Sequence, residues 1–267
     1  MSPPDPRRAS PLVRLIRERI AEAGPMPVSE YMTLCLGHPE HGYYITRDPL
    51  GANGDFVTAP EVSQLFGEMI GGWLAQVWID AGRPQAILAE AGPGRGTLMA
   101  DALRVAGRLP GFREAMALKL VETSPVLRSA QAAALGDWAP HWVERVGDLP
   151  EGPLFLVANE FFDALPVRQF LRLAQGWQER VVVVGPEGLR FGYGPVMTSA
   201  ALETRFGALP EGALVEVNPD GEAVAAELGR RIASFGGAAL IIDYGEWDGT
   251  GDTLQAVAGH RFADPLA

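Results

Sequence analysis

The feature that most constrains the fold of this chain is an alternation of short apolar runs with helical patterns, beginning at Ala86. The runs are apolar at nearly every position, which is typical of parallel strands buried on both faces. Helical patterns such as GTLMADALRVAGRL and SPVLRSAQAAAL separate them. We therefore predict an α/β fold, with a Rossmann-like parallel sheet covered by helices on both faces. The predicted strands are 86–90, 117–122, 141–146, 153–159 and 237–245.

The alternation is interrupted after residue 165, where the pattern becomes β-rich. The segments VRQFLRL, WQERVVVV and LRFGYG predict antiparallel strands, with Gly176 and residues 185–188 as turns. We interpret this stretch as an insertion into the Rossmann-like core. The predicted parts are a helical N-terminal extension carrying a substrate and cofactor loop (1–84), the core (85–165 and 213–267) and the β-rich insertion (166–212).

The N-terminal extension shows helical spacing in two segments, 11–23 and 27–37, followed by a Gly- and Tyr-rich loop over 37–60. The sequence from Thr58 to Glu61 matches a capping box, and a helix is predicted from there to about Ala81. We expect one apolar face of that helix to be buried. Its residues are Leu65, Met69, Trp73 and Val77.

Composition narrows the function classes. The chain has 267 residues, with 22 basic and 33 acidic side chains and a net charge of −11. This sign disfavours nucleic acid and anionic membranes as partners. Cys35 is the single cysteine, so an intrachain disulfide is impossible. No apolar run reaches the roughly 18 residues of a membrane span, and the N-terminus lacks a signal-peptide pattern. These features together predict a cytoplasmic protein.

A glycine-rich loop follows the first predicted parallel strand, where Gly92, Gly94 and Gly96 alternate with other residues. The spacing matches neither the dinucleotide fingerprint nor the P-loop. Pro93 lacks an N–H group that an anion site would use. The loop is therefore predicted to bind a ligand without phosphate, at the carboxyl ends of the strands where open α/β sheets bind ligands. Thr97 begins the helix that follows.

Two carboxylates accompany this loop. Glu90 ends the first strand and can pair with a ligand ammonium group, while Glu122 ends the second strand and can accept hydrogen bonds from a ribose. A ligand with a ribose, an ammonium group and no phosphate describes S-adenosylmethionine. Two alternatives stay open: the glycines form only a tight turn, or the chain is a nicotinamide-dependent oxidoreductase.

The segment NEFFDALPV follows the fourth predicted strand and brings polar groups to the same edge of the sheet. Asn159, Glu160 and Asp163 are our candidate catalytic residues, since acidic groups can hold a guanidinium and accept its proton. The adjacent phenylalanines, including Phe162, would exclude water. The alternative is that Asn159 or Asp163 caps a short helix and the phenylalanines belong to the core.

Five segments together resemble the MidA-type class I methyltransferases, homologues of the mitochondrial complex I assembly-factor arginine methyltransferase. They are HPEHGYYITRDPLGANGDFVTAPEVSQLFGE, LAEAGPGRGTLMAD, LVETSP, VANEFFDALPVRQF and LIIDYG. The resemblance covers nearly the whole chain. It implies S-adenosylmethionine as the cofactor and methylation of an arginine on a complex I core subunit during assembly. A SAM-binding assembly chaperone without catalytic activity is the alternative.

The resemblance also implies roles for loop residues. The predicted substrate contacts are His41, Tyr43, Tyr44, Asp55, Phe56 and Phe162. The predicted cofactor contacts are Thr58, Glu90, Gly92, Pro93, Gly94, Gly96, Thr97, Glu122, Thr123, Ser124, Asp148 and Asn159.

Cys35, His38 and His41 have a metal-like spacing, but three ligands in one loop are too few, and no metal is predicted. Members of the family continue past GHRFADPLA into further sheet, so we expect the last strands of a seven-stranded sheet to be absent. A protein substrate is expected, and a homodimer is compatible with the sequence.

Overall fold

The structure is a computed structural model that describes residues 10–46, 55–56, 58–245 and 249–267. The part of the predicted loop at 47–54, together with residue 57, lies outside the described residues. The helices are α1 Pro11–Ala23, α2 Val28–Gly37, α3 Tyr43–Thr46, α4 Ala59–Val62, α5 Gln64–Asp80, α6 Thr97–Ala106, α7 Phe112–Ala115, α8 Pro125–Leu135, α9 Ala200–Phe206 and α10 Pro219–Phe235. The strands are β1 Met26–Pro27, β2 Ala86–Ala91, β3 Met116–Val121, β4 His141–Val143, β5 Leu154–Asn159, β6 Arg168–Leu173, β7 Gly176–Val184, β8 Leu189–Met197, β9 Leu214–Val217, β10 Gly237–Ile242, β11 Ala256–Ala258 and β12 Arg261–Ala263.

The predicted parallel sheet is present, with the strand order β10-β5-β2-β3-β4 among the described residues. All of its pairings are parallel. The chain first builds outward from β2 through β3 to β4, and then returns to place β5 and β10 on the other side of β2. The order of the strands therefore reverses between β2 and β5, and ligands bind at such a switch point in open α/β sheets.

Both faces of this sheet are covered, as the continuous apolar runs predict. Helices α5, α6 and α7 pack on one face around Trp78, Leu88 and Phe112, all nearly inaccessible to solvent. The other face packs against Leu228 of α10 and against Leu149. Burying each large apolar side chain contributes about 1.5–3 kcal/mol relative to leaving it exposed, so these two layers hold the sheet in place.

The predicted apolar face of helix α5 is right for Trp73 and Val77, which pack against the core, and wrong for the other two residues. Leu65 and Met69 are 59% and 68% exposed, whereas the buried face carries Ile70 and Leu74. Glycine explains the shift, because a Cβ on Gly71 would lie 2.2 Å from the Ala102 carbonyl oxygen of α6. The two helices therefore approach closely at Gly67 and Gly71, and the buried positions of α5 follow from this contact.

The predicted capping box at Thr58 is also wrong. Its side chain makes no capping hydrogen bond, and the helix is broken at Ser63 into α4 and α5. The Glu61 side chain reaches the helix α6 region instead of turning back on Thr58. The local sequence pattern could not show that Glu61 bonds Thr97 instead of Thr58, since Thr97 is distant in sequence.

The predicted antiparallel strands form a second sheet, with the order β1-β7-β6-β9 and β8 paired to β7. Two of its strands come from outside the predicted insertion. Strand β9 was expected in the core, but it pairs antiparallel with β6, and β1 of the N-terminal extension pairs with β7. Val215 of β9 is fully buried against Phe170 and Trp177, which accounts for the placement.

The C-terminal residues form a hairpin, β11–β12, that returns to the N-terminal helices. The Tyr31 hydroxyl donates to the Pro265 carbonyl oxygen at 2.5 Å, and the Gly259 amide donates to Asp55 at 2.8 Å. Asp55 also accepts from the Tyr43 hydroxyl at 2.6 Å. These bonds join Asp55 and helix α2 to the C-terminal residues.

Candidate functional site

A cavity of about 970 Å³ opens at the carboxyl ends of β2 and β5, at the switch point of the sheet. Its lining comes from the N-terminal helices, the glycine loop, the ends of β3 and β5, and helix α10. A cavity of this size suits a small-molecule ligand together with part of a second one. The site therefore lies where the strand order predicts it.

The glycine loop owes its path to left-handed backbone at three positions. Gly92, Gly94 and Gly96 have φ angles of 64°, 53° and 86°. A Cβ on Gly92 would also lie 3.0 Å from the Phe161 ring. Side chains other than glycine are strained in this region of φ, so the loop shape requires these glycines. The backbone consequently forms an open wall of the cavity just before α6.

Glu90 is the most unusual group in the cavity. It is 2% exposed, and among the described residues its Oε2 atom has no hydrogen-bond partner. Burial raises the pKa of its carboxyl group to about 8. A buried polar atom without a partner is costly, so this carboxylate is suited to a cationic ligand group. The orphaned oxygen fits the ammonium group of an amino-acid tail.

Glu122 is already held in place. Its Oε1 accepts from the backbone amides of Thr123 and Ser124 at 2.8 Å each, and its Oε2 accepts from Gln131 at 3.1 Å. Desolvation raises the pKa of Glu122, and these bonds act in the opposite direction. A carboxylate has about four acceptor positions. One position on Oε2 is therefore left over for a ribose hydroxyl.

Gln131 connects the parts of this half of the site, and the sequence analysis missed it. The side chain is fully buried, donates to the Gly94 carbonyl oxygen at 2.6 Å, and accepts from the Trp142 indole at 2.7 Å. Together with its bond to Glu122, it ties the glycine loop to the ends of β3 and β4. In the sequence it is one polar residue in a helical pattern, which gives no sign of burial.

The loop after β5 concentrates negative charge at the opposite wall of the cavity. Glu160 and Asp163 both have a raised pKa, first because of desolvation and then, for Glu160, because of the Asp163 charge. Tyr44 lies against them, and burial and both carboxylates raise its pKa to about 12. Asn159 donates to Glu160 at 3.4 Å. These groups together form a receptor for a cation.

Asp243, which follows β10, organises this loop from outside the cavity. Its Oδ2 accepts from the amides of Phe162 and Asp163 at 3.0 and 3.1 Å. Glu160 itself has a left-handed backbone with a φ of 49°, and its amide donates to the Ile242 carbonyl oxygen at 2.8 Å. A strained non-glycine residue in such a position is common at functional sites.

Most of the predicted site residues line this one cavity. They are Tyr44, Phe56, Thr58, Glu90, Gly92, Pro93, Gly94, Thr97, Glu122, Thr123, Asp148, Asn159, Glu160 and Asp163. The remaining predicted residues lie outside its lining: His41, Tyr43, Asp55, Gly96, Ser124 and Phe162.

Other structural roles occupy several of the predicted residues that lie outside the cavity lining. Gly96 and Ser124 are the N-cap residues of α6 and α8. Tyr43 is hydrogen-bonded to Asp55. The neighbouring Phe161, not Phe162, faces the cavity.

Carboxylates dominate the charged groups of the lining. The acidic residues include several that the sequence analysis did not select as site residues: Glu61, Glu144, Asp220 and Glu227. Among the described lining residues, the basic side chains are Arg95 and Arg145. Such a cavity favours cationic ligands.

The fold and this site define a nucleoside-binding α/β protein of the methyltransferase type. Residues 69–267 match the family described as "Putative S-adenosyl-L-methionine-dependent methyltransferase", and the chain belongs to that family. This membership confirms the family, the fold class and the cofactor that the sequence predicts.

Among individual proteins, the chain is 40% identical to mouse (Mus musculus) "Protein arginine methyltransferase NDUFAF7, mitochondrial", over 99% of this chain and 66% of that protein. It is 38% identical to the human (Homo sapiens) protein of the same name, over 96% of this chain and 64% of that one. The chain thus spans about two thirds of the length of the curated relatives it matches.

Two solved structures share the architecture. One is a COG1565 superfamily member from Burkholderia thailandensis bound to S-adenosyl-homocysteine, with a TM-score of 0.79 and 30% identity, covering 96% of this chain and 70% of that chain. The other is a native crystal structure of a COG1565 superfamily protein from the same organism, with a TM-score of 0.69 and 31% identity, covering 88% and 61%.

The predicted cytoplasmic location is wrong by these comparisons, because the relatives are named as mitochondrial proteins. Net charge and a single cysteine do not distinguish two compartments that both keep thiols reduced. None of the helices in the described part of the chain is long and apolar enough to cross a membrane.

Proposed function

We propose that this protein transfers a methyl group from S-adenosylmethionine to an arginine side chain of a protein. The observation that carries the proposal is that one cavity joins Glu90, a buried group whose Oε2 has no partner among the described residues, to the acidic pair Glu160 and Asp163. Glu90 suits the ammonium group of the cofactor, and the pair Glu160 and Asp163 suits a guanidinium. The names of the relatives, which are protein arginine methyltransferases, support the same acceptor.

Residues along the first three parallel strands would hold the cofactor. Glu90 would accept from its ammonium group and Glu122 from its ribose, while the glycine loop would let its tail lie against the backbone. We assign Asp148 to the same set, because it lines the cavity beyond β4. When bound, the cofactor supplies a methyl group on a positively charged sulfur, which an acidic cavity favours.

The acidic loop would bind and orient the acceptor. A guanidinium between Glu160 and Asp163 relieves their mutual repulsion, and paired carboxylates match its planar N–H groups. The nitrogen that gains the methyl group must lose a proton. The raised pKa of Glu160 makes it a stronger base than an ordinary carboxylate, so Glu160 would accept this proton. Phe161 and Tyr44 would exclude water from the acceptor.

The test is a methylation assay with labelled S-adenosylmethionine and protein extract from a strain that lacks this protein. We expect methylarginine on an acceptor, and a rate about 10²–10⁴-fold lower for Glu160→Gln, as for loss of a general base. Binding of S-adenosylhomocysteine, measured by calorimetry, should change less than about threefold in this variant, since Glu160 lies on the acceptor side. Equal rates for the two proteins would exclude the proposed base.

For the acceptor we propose an arginine on a core subunit of respiratory complex I during its assembly, on the basis of the resemblance to MidA-type proteins. Mass spectrometry of complex I subunits from a deletion strain should show the loss of one methylarginine. The wild-type protein should restore the modification, and Glu160→Gln should not. An unchanged methylation pattern would instead indicate a cofactor-binding chaperone without catalytic activity.

A further inference from the structure

The acidic side chains of the cavity repel a ligand that carries a carboxylate of its own, unless a basic side chain binds that carboxylate. The amino-acid tail of S-adenosylmethionine has a carboxylate beside its ammonium group. Glu90 suits the ammonium group but repels the carboxylate, and so do the other acidic side chains of the lining. We infer that Arg95 binds this carboxylate and that Glu61 is the residue that positions Arg95. The inference concerns the family's cofactor and is independent of which acceptor is methylated.

The position of Arg95 in the fold distinguishes it from the other arginine of the lining. Arg95 lies within the glycine loop that follows β2, the strand that carries Glu90, and its side chain is 33% exposed. Arg145 follows β4, and β3 separates that strand from β2. Its side chain is 81% exposed and pairs with Asp148 at 3.5 Å. Among the described residues of the lining, Arg95 is therefore the basic side chain on the Glu90 side of the cavity.

Glu61 connects the N-terminal part of the chain to this loop. Its Oε1 accepts from the Thr97 hydroxyl at 2.6 Å, and its Oε2 lies 3.5 Å from Nη1 of Arg95. The side chain is 15% exposed, so the surroundings restrict its position. Because Glu61 contacts the residues on both sides of Gly96, it fixes the direction of the Arg95 side chain relative to the start of α6.

An arginine can serve both partners. Its guanidinium carries five N–H donors in one plane, so an ion pair with Glu61 is compatible with a second carboxylate. Arginine also binds carboxylates through two parallel hydrogen bonds, which a lysine ammonium group cannot reproduce. The pair Glu90 and Arg95 would then recognise the two opposite charges of the tail. This arrangement would admit a zwitterionic tail into an otherwise acidic cavity.

The experiment compares two ligands, S-adenosylhomocysteine and its decarboxylated form, by calorimetry on the full chain. For Arg95→Gln we expect S-adenosylhomocysteine to bind about 10- to 100-fold more weakly, as for loss of a hydrogen-bonded charge pair. The decarboxylated ligand should bind as well to the variant as to the wild type, within about twofold, because the lost partner is absent from it. Equal weakening of both ligands would overturn the inference, since it would mean that Arg95 acts only on the loop structure.

Arg145→Gln is the matched control, because it removes the same charge from the same cavity. It should change the affinities of the two ligands by equal factors. Selective weakening of S-adenosylhomocysteine by Arg145→Gln, rather than by Arg95→Gln, would overturn the assignment. Arg95→Lys should recover part of the selectivity between the ligands, since it restores the charge without the planar donors.

Glu61→Gln tests the positioning role, because the amide can still accept from Thr97. We expect a smaller loss of S-adenosylhomocysteine affinity than for Arg95→Gln, and little further loss in the double variant, since both changes act on one interaction. Additive losses would contradict the positioning role. These assays contain no acceptor protein, so their outcome is separate from that of arginine methylation.

Discussion

Two loops leave neighbouring strands of the parallel sheet and form opposite walls of one cavity, yet they are built differently. The loop after β2 takes its shape from glycines at left-handed φ and from a hydrogen bond that the buried Gln131 donates to Gly94. The loop after β5 places Glu160, a residue with a full side chain, at a φ of 49° and gathers carboxylates beside it. Left-handed backbone costs a non-glycine residue roughly 1–2 kcal/mol, while glycine adopts it freely.

This difference separates two tasks. The glycine loop presents backbone to a ligand and would recognise it by shape and by the charged groups at its edges. In the acidic loop, desolvation raises the pKa of Glu160 and Asp163, and repulsion between neighbouring carboxylates raises it further. A cation that enters this loop stabilises it, because the cation relieves the repulsion between the carboxylates. The first loop is thus suited to binding, and the second to the step in which a proton moves.

The largest effect is expected from the glycine loop itself. Gly92→Val would combine strain at a φ of 64° with a clash against Phe161. We expect S-adenosylhomocysteine affinity to fall more than about 100-fold and the protein to lose about 1–3 kcal/mol of stability. Gly72→Ala is the control, because a Cβ there meets nothing within 4 Å. Calorimetry measures the affinity, and thermal unfolding measures the stability. Unchanged affinity in Gly92→Val would contradict the proposed role of the loop.

Replacement of Glu90 should have an effect of intermediate size, and its effect on the free energy of unfolding should depend on pH. Burial raises its pKa to about 8, so the folded protein holds a proton that the unfolded chain releases near its ordinary pKa of about 4.3. The free energy of unfolding should therefore fall as pH rises from about 4.3 to about 8, and Glu90→Gln should remove this slope.

The same group links ligand binding to protons. An ammonium group on the ligand favours the ionised form of Glu90, so binding at pH 7 should release about one proton per ligand. Calorimetry in two buffers with different ionisation heats measures this number. Glu90→Gln should show no release and about tenfold weaker binding, as for loss of a charged hydrogen-bond partner. Equal proton release by the two proteins would exclude Glu90 as the ammonium partner.

The smallest effect is expected from Asp243, which supports the acidic loop from outside. Asp243→Ala removes the acceptor for two backbone amides at 3.0 and 3.1 Å. Because the residue is exposed, we expect a stability loss of only about 1 kcal/mol. The methylation rate should fall about 3- to 10-fold, as for slight misplacement of catalytic groups. S-adenosylhomocysteine affinity should not change, and a loss of that affinity would mean that the two walls are not independent.

The parts of the molecule that depend on local pattern could be predicted from the sequence. Apolar runs identified the parallel strands, and glycine spacing with a following carboxylate predicted residues that line one half of the cavity. Carboxylates at strand ends needed no further information, because parallel strands bring their carboxyl ends to one edge.

The parts that depend on distant pairing could not be predicted. Gln131 reads as one polar residue of an amphipathic helix, yet Trp142 and the glycine loop bury it. Glu61 and Asp243 act on residues far away in sequence, and no periodicity shows such bonds. Strand β9 was misplaced for the same reason, since an apolar alternation does not indicate which sheet it will join.

The strand order has a consequence for how the site assembles during folding. Strand β2 pairs with β3 through partners such as Ala86 and Met116, but with β5 through more distant partners such as Ile87 and Leu154. Closing a longer stretch of chain costs more entropy, and non-local contacts slow folding. We therefore expect the nucleoside half of the cavity to acquire its shape before the acidic half during folding.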